Sequence, residues 1–349
     1  MNRPSKIPNV WKMRVHTTDG TAGPGQTYPF LREHGLLGIG WKLKRIPADE
    51  EDAIKLAKEK YSEEKPRDSE KKPHGVGNIK RFIKEMQIGD LVWVRYKSLF
   101  ALHQITGNWE YKSGKEWDDH DVHFVRKAKV VYETIDPPIG PVFSSLLGRQ
   151  LTVSRFQEQK ELVTAYSLWL CKSKKYNRGV CPQPSVVKLP NTKLLDLFTP
   201  EELEDAIGIY LQAKCGLVMI PSSRTRVDNT AGYEYMLMGT PNRPSDNACP
   251  SCQSPVFVQV KTQAKKAKKK NDKTKAEKET AFEVCTKESD ECNWVLFSLK
   301  NYESLKKACK KAKVLDPNLI ERFVWENKAL MPTKIKHLMQ LFNELKSPQ

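Results

Sequence analysis

Six consecutive residues, Asp136-Pro137-Pro138-Ile139-Gly140-Pro141, contain three prolines and a glycine. Proline has no N–H to give a strand ladder or a helix interior, and its ring fixes φ, so no regular element should run through this stretch. At 349 residues the chain has room for two domains of roughly 100 to 200 residues each. The break predicts a first domain over 1–140. The next sharp signal, at Thr199, predicts a second over 199–349. Residues 141–198 are then a connector with one helix, Gln157 to Ser173, where apolar residues recur at helical spacing.

Before the break, short runs rich in Val, Ile, Trp and Tyr read as strands: Trp11 to Val15, Gly38 to Leu43, Asp90 to Tyr96, Leu99 to Thr106 and Val122 to Tyr132. A charged stretch between them carries a helix near Asp49 to Tyr61. Short strands punctuated by glycine predict a small β-barrel with accessory helices.

After Thr199 the pattern changes. Thr199-Pro200-Glu201-Glu202 combines an N-cap, a proline at the first helical position and early acids, and Leu203, Ala206, Ile207, Tyr210 and Leu211 follow at helical spacing to about Gln212. Strands are expected at Gly216 to Ile220, Tyr233 to Met238, Val256 to Lys261 and Trp294 to Leu299. Two helices, around Glu303 to Ala312 and Pro332 to Leu345, close the chain. This order predicts a mixed sheet flanked by helices, so the whole chain is α/β and β mixed.

Lysine and arginine number 59 against 42 acids, a formal charge of +17. Such a field attracts phosphate backbones and releases their counterions, which makes nucleic acid the first candidate partner. No run approaches the ~18 apolar residues of a spanning helix, and no basic amphipathic helix stands apart, so no membrane role is expected. The start of the chain lacks a secretory pattern, which points to the cytoplasm. Eight cysteines in that setting read as buried residues and metal ligands rather than disulfides; Cys171, Cys181, Cys215 and Cys309 read as small core residues.

Pairing the second and third C-terminal strands as a hairpin with Met238 opposite Pro255 also sets Glu234 opposite Gln259. Alternation then puts Lys261 on the same face. A carboxylate, an amide oxygen and an ammonium at one end of a sheet suit metal-assisted phosphodiester hydrolysis: oxygen ligands for a hard cation, and a positive charge for the developing phosphorane. A cross-strand ion pair of Glu234 with Lys261 is the plain alternative. Cys249-Pro250-Ser251-Cys252 lies between these strands, and Cys285 and Cys292 lie just before the fourth. A right-handed crossover makes strands three and four parallel, so the four thiols fall at one end, where a structural Zn²⁺ or unliganded thiols are both open. The segment from Ala264 to Thr280 holds eight lysines and three acids. It reads as a solvated loop or as a sequence-blind phosphate contact.

Tyr233-Glu234-Tyr235-Met236-Leu237 with Phe257-Val258-Gln259-Val260-Lys261-Thr262 resembles the motif of the PD-(D/E)xK nucleases, in the Mrr-like branch where Gln replaces the second acid. The resemblance covers about 150 residues. It implies a restriction-endonuclease-like fold, Glu234 as Mg²⁺ ligand, Gln259 as neutral ligand or positioning group, Lys261 as electrostatic catalyst and Glu204 as an additional acid. The absence of a second acid on strand three departs from the wider superfamily and bears on metal affinity.

In the first half, Gly38-Ile39-Gly40-Trp41, Met86 to Val94, Ile105-Thr106-Gly107-Asn108-Trp109-Glu110-Tyr111 and His123-Phe124-Val125-Arg126 resemble EVE-like members of the PUA superfamily over about 130 residues. The resemblance implies nucleic-acid binding, with a flipped, modified base in an aromatic pocket. An extruded base needs flat apolar walls and polar groups at its edge. Trp41 and Trp93 are the candidate walls and Asp121 the edge contact; core packing of the tryptophans is the alternative. Taken together, the readings predict an Mg²⁺-dependent DNA endonuclease with a modified duplex as substrate, resembling modification-dependent restriction in antiviral defence. The rival is a non-catalytic DNA- or RNA-binding protein with a degenerate nuclease fold. RNA is the weaker partner, and a homodimer is left open.

Overall fold

The computed structural model describes residues 7–15, 25–62, 74–147, 152–173, 189, 191–220, 235–239, 255–261, 293–300, 302–308 and 312–347. The chain divides into two compact units, the first holding residues 1–192 and the last five residues, the second Lys193–Glu344.

The first unit runs β1 (Val10–Met13), α1 (Thr27–Glu33), β2 (Leu36–Ile39), α2 (Glu50–Ser62), α3 (His74–Lys80), β3 (Leu91–Tyr96), β4 (Leu99–Tyr111), α4 (Lys115–Asp119), β5 (Phe124–Thr134), α5 (Gly140–Leu147), β6 (Val153–Arg155) and α6 (Lys160–Lys172). Six strands form one curled, half-barrel sheet in the order β2-β5-β4-β3-β1-β6. The pairing of β1 with β3 is parallel, Trp11 beside Val92, whereas β3, β4 and β5 form an antiparallel meander. The Asp90 carboxylate closes the β1–β3 junction: it accepts from Trp11 Nε1 at 2.7 Å, Asn9 N at 2.9 Å and Gln87 N at 3.0 Å. Arg126 does similar work on β5. Its buried guanidinium donates to the carbonyls of Phe82, Ile83 and Gly107, the first two inside a π-helical turn, Arg81–Glu85, whose carbonyls need an outside donor.

The proline-rich break ends β5 but does not end the unit. Pro141 falls in the first turn of α5, where its missing N–H has no intrahelical partner to lose. Downstream, β6 pairs with β1, and Ser167 of α6 accepts from Trp93 Nε1 at 2.9 Å. Residues 141–147 and 152–173, which the sequence presents as part of a connector, therefore belong to the first sheet and its covering helices, whereas 193–198 fall in the second unit.

The second unit runs α7 (Pro200–Cys215), β7 (Leu217–Met219), β8 (Tyr235–Gly239), β9 (Val256–Lys261), β10 (Asn293–Ser298), α8 (Tyr302–Ala308), β11 (Lys313–Leu315), α9 (Pro317–Glu326) and α10 (Thr333–Lys346). Thr199 and Glu202 form the capping box of α7, and Gly216 ends it in the left-handed region at φ 64°, as a residue without Cβ does readily. The sheet order is β11-β10-β9-β8-β7, antiparallel from β7 to β9 and parallel from β9 to β11. A fifth strand and a third closing helix, β11 and α9, lie between the two helices expected at the end of the chain. Cys215, expected to be a small core thiol, is buried but disulfide-bonded. No helix among the described residues is long and apolar enough to cross a membrane.

Candidate functional site

In the second unit the hairpin takes the register the sequence implies: Tyr235 opposite Val258, Met236 opposite Phe257 and Leu237 opposite Val256. The next pair in that register is Glu234 with Gln259. Glu234 itself lies outside the described residues, as do Cys249, Cys252, Cys285, Cys292 and the lysine segment from Ala264 to Thr280. Among the described residues, no group of three or more His, Cys, Asp or Glu is arranged to hold a metal ion.

The two faces of this sheet differ. Tyr235 donates its hydroxyl to the Glu204 carbonyl at 3.1 Å and packs over Gly208, so the face carrying Tyr235, Val258 and Val256 is the one α7 covers. Gln259 alternates onto the opposite face. On that face β10 sets Trp294 and Leu296 beside Phe257 and Gln259, the ladder going on to pair Ser298 with Lys261, and Phe257 stacks on Trp294 with ring centroids 5.2 Å apart. Glu204 is buried. It reaches the same end of the sheet as the start of β8, through Tyr235, but its helix lies across the sheet from Gln259.

Gln259 is 5% exposed, and its Oε1 has no hydrogen-bond partner among the described residues. Its neighbour on β10, Leu296, is apolar and fully buried. Whatever satisfies this oxygen must come from the β8 side or from above the face, and a buried amide oxygen left without a partner costs about 1 to 3 kcal/mol. Such an oxygen is a donor type that Mg²⁺ accepts, so the residue fits the ligand role suggested for it.

In the first unit the three sequence-predicted residues separate. Trp93 is fully buried; it stacks parallel to Tyr166 at 6.0 Å and donates to Ser167. It packs in the core beneath α6 and does not wall a pocket. Asp121 packs on Gly40, the residue before Trp41. Trp41 and Asp121 both adopt positive φ, 74° and 48°, uncommon for non-glycine residues and costly enough to persist only where the surroundings enforce it. The Asp121 carboxylate packs directly over Gly40, where a Cβ would meet it at 3.0 Å, and the half-buried Trp41 indole lies against Gly75 of α3, where a Cβ would meet Nε1 at 2.9 Å. Gly40 thus makes room for the Asp121 carboxylate and Gly75 for the Trp41 indole.

Around this corner stand groups that the sequence reading passed over. Lys42 Nζ pairs with Asp118 Oδ2 at 2.8 Å, and this hydrogen bond holds the Asp118 carboxyl below its ordinary range and the Lys42 ammonium above its own. His123, with 2% of its side chain exposed, faces Asp118 Oδ1 at 3.8 Å; burial pushes its pKa down. Its Nδ1 lies 3.1 Å from the Lys112 carbonyl, and the Tyr111 ring stacks on it at 5.9 Å. Tyr111 in turn accepts from Leu43 N at 2.7 Å, and Lys112 sits over Trp117 at 5.9 Å. The dense polar and aromatic string Trp117-Asp118-Asp119-His120-Asp121-Val122-His123 was the available signal.

What this geometry defines is a half-barrel module with a strained, aromatic-lined corner, followed by a mixed-sheet module with a buried unsatisfied amide. Residues 11–156, from Trp11 in β1 to Phe156 just past β6, match the model of a family described as a domain of unknown function, DUF8426. No curated protein and no solved structure matches the chain.

Proposed function

We propose that this chain is a DNA endonuclease that works with Mg²⁺, in which the first unit reads a base, a modified one among the candidates, and the second hydrolyses the backbone, as in modification-dependent restriction. The observation that carries the reading is the buried Oε1 of Gln259, without a hydrogen-bond partner among the described residues, on the strand whose register sets Gln259 opposite position 234 and two residues before Lys261. The antiparallel run β7-β8-β9 followed by a parallel β10 supports it, because that order matches the resemblance to PD-(D/E)xK nucleases. Glu234 and Gln259 are the residues that would hold the ion. When bound, Mg²⁺ supplies a Lewis acid for the scissile phosphate and lowers the pKa of attacking water. Lys261 supplies a fixed positive charge for the transition state. The charge of +17 supports a polyanionic partner, and Trp41 with Asp121 supports a base site in the first unit.

The neutral Gln259 in place of a second acid favours one further reading, a DNA- or RNA-binding protein without cleavage. Incubating the full chain with modified and unmodified duplexes, in Mg²⁺ and in EDTA, separates the two. Mg²⁺-dependent nicking that Lys261→Ala abolishes supports the nuclease. Binding with no product under any condition supports the platform.

A further inference from the structure

We propose that Asp118 and His123 form a slot for the exocyclic amino group of a nucleobase. The inference rests on the reading that the first unit binds nucleic acid.

The argument starts from the tautomer of His123. Its Nδ1 meets the Lys112 carbonyl at 3.1 Å, and a carbonyl only accepts, so Nδ1 carries the proton. In the neutral ring, Nε2 is then an acceptor. Asp118 Oδ1 is also an acceptor; it is buried and has no hydrogen-bond partner among the described residues. The two stand 3.8 Å apart and cannot bond each other. Lys42 holds the other oxygen, Oδ2, at 2.8 Å, so the carboxylate is not free to rotate away.

Two acceptors at this spacing, the Asp118 oxygen among them buried, select a group with two hydrogens on one atom. A nitrogen about 2.9 Å from each would subtend roughly 80° between them, giving two slightly bent hydrogen bonds within the usual range. The amino groups of adenine, cytosine and guanine meet that description. The oxo groups of thymine, uracil and hypoxanthine would face two lone pairs instead. A methylated amino group keeps one hydrogen and loses one contact, whereas a substituent at the cytosine 5-position leaves both. Tyr111, stacked on His123, and Trp117, next to Asp118, offer flat surfaces for a base to stack on.

The test uses the full chain in EDTA, titrated with duplexes that differ at one base set opposite an abasic site, where extrusion is cheap. Adenine is compared with hypoxanthine and cytosine with uracil. The expected preference for the amino base is about tenfold or more. In Asp118→Asn, Lys42 still donates to the side-chain oxygen, so the amide nitrogen turns into the slot as a donor beside the His123 acceptor, and the preference for the amino base should be lost. A chain that binds all four duplexes equally, with Asp118→Asn unchanged, overturns the slot and leaves it as a site for water alone. A chain that binds none of them overturns the nucleic-acid reading of the first unit and the slot with it.

Discussion

Leu296 stands directly beside Gln259 on the neighbouring parallel strand and is fully buried, so the Gln259 amide has an apolar wall where a structural glutamine would have a partner. A residue held for stability would not leave its oxygen unsatisfied. Replacing it with an apolar residue of similar size should therefore cost the fold nothing. We expect Gln259→Leu to melt at the same temperature as the wild type or higher, by up to about 1 kcal/mol in stability, and to lose DNA cleavage. Thermal unfolding and a nicking assay on the same preparation check this. Marked destabilisation would show the amide to be a structural group after all.

The Asp90 carboxylate makes the opposite case. It accepts from Trp11 Nε1, Asn9 N and Gln87 N, three donors that lose this acceptor once it is gone. Asp90→Ala should destabilise the first unit by about 3 kcal/mol or more, and denaturant titration should show it. Asp90→Asn, which keeps acceptor capacity on one oxygen, should fall between the two.

These cases show what the sequence made legible. The β8–β9 register followed from local alternation and a turn, and the structure pairs Tyr235 with Val258 as that alternation requires. The start of α7 followed from Thr199 and Pro200, a signal carried within four residues. By contrast, the parallel pairing of Trp11 with Val92 joins residues about eighty apart, and no local period encodes it. Pro141 misled because proline both stops strands and starts helices; only tertiary context decides which. Asp316-Pro317 repeats the cap-and-proline signal of Thr199-Pro200 and opens α9, so that helix was legible and passed over. Trp93 could not be assigned from sequence, since a tryptophan on a strand reads the same whether it faces a pocket or a covering helix.

Tyr28 and His103 give the first unit a pH dependence. His103 is fully buried, its Nε2 lies 3.0 Å from the Tyr28 hydroxyl, its Nδ1 has no partner among the described residues, and burial pushes its pKa from 6.5 down to about 3. The unfolded chain therefore binds a proton near pH 6.5 that the folded chain refuses. Stability is full above that pH and falls as pH drops from about 6.5 toward 3, by on the order of 4 to 5 kcal/mol in the limit. Between pH 6.5 and 4.5 most carboxylates stay ionised, so this interval reports on the buried histidines, His103 and, with its pKa also pushed down by burial, His123. Denaturation midpoints across it should decline for the wild type and decline less steeply for His103→Phe, the remaining slope belonging to His123. Parallel curves for the two proteins would remove the assignment.

The two tryptophans proposed from sequence as pocket walls should now behave differently. Trp93 fills the core, stacked on Tyr166 and bonded to Ser167, so Trp93→Ala leaves a large cavity, while the Ser167 hydroxyl keeps its bond to the Val163 carbonyl. The expected loss is about 3 to 5 kcal/mol, with any change in DNA binding following from unfolding. Trp41 is half-buried at a positive-φ corner, its indole against Gly75. Trp41→Gly relieves that backbone strain while deleting the ring, so its stability loss should be smaller and the chain should remain folded. If Trp41 stacks on an extruded base, this variant should bind modified and unmodified duplexes alike, at an affinity set by phosphate contacts that do not distinguish bases. Binding isotherms over a salt series separate the two contributions, because the phosphate part alone carries the steep salt dependence. A folded Trp41→Gly protein that retains the wild-type preference among modified duplexes would place base reading elsewhere in the molecule and leave Trp41 as a packing residue.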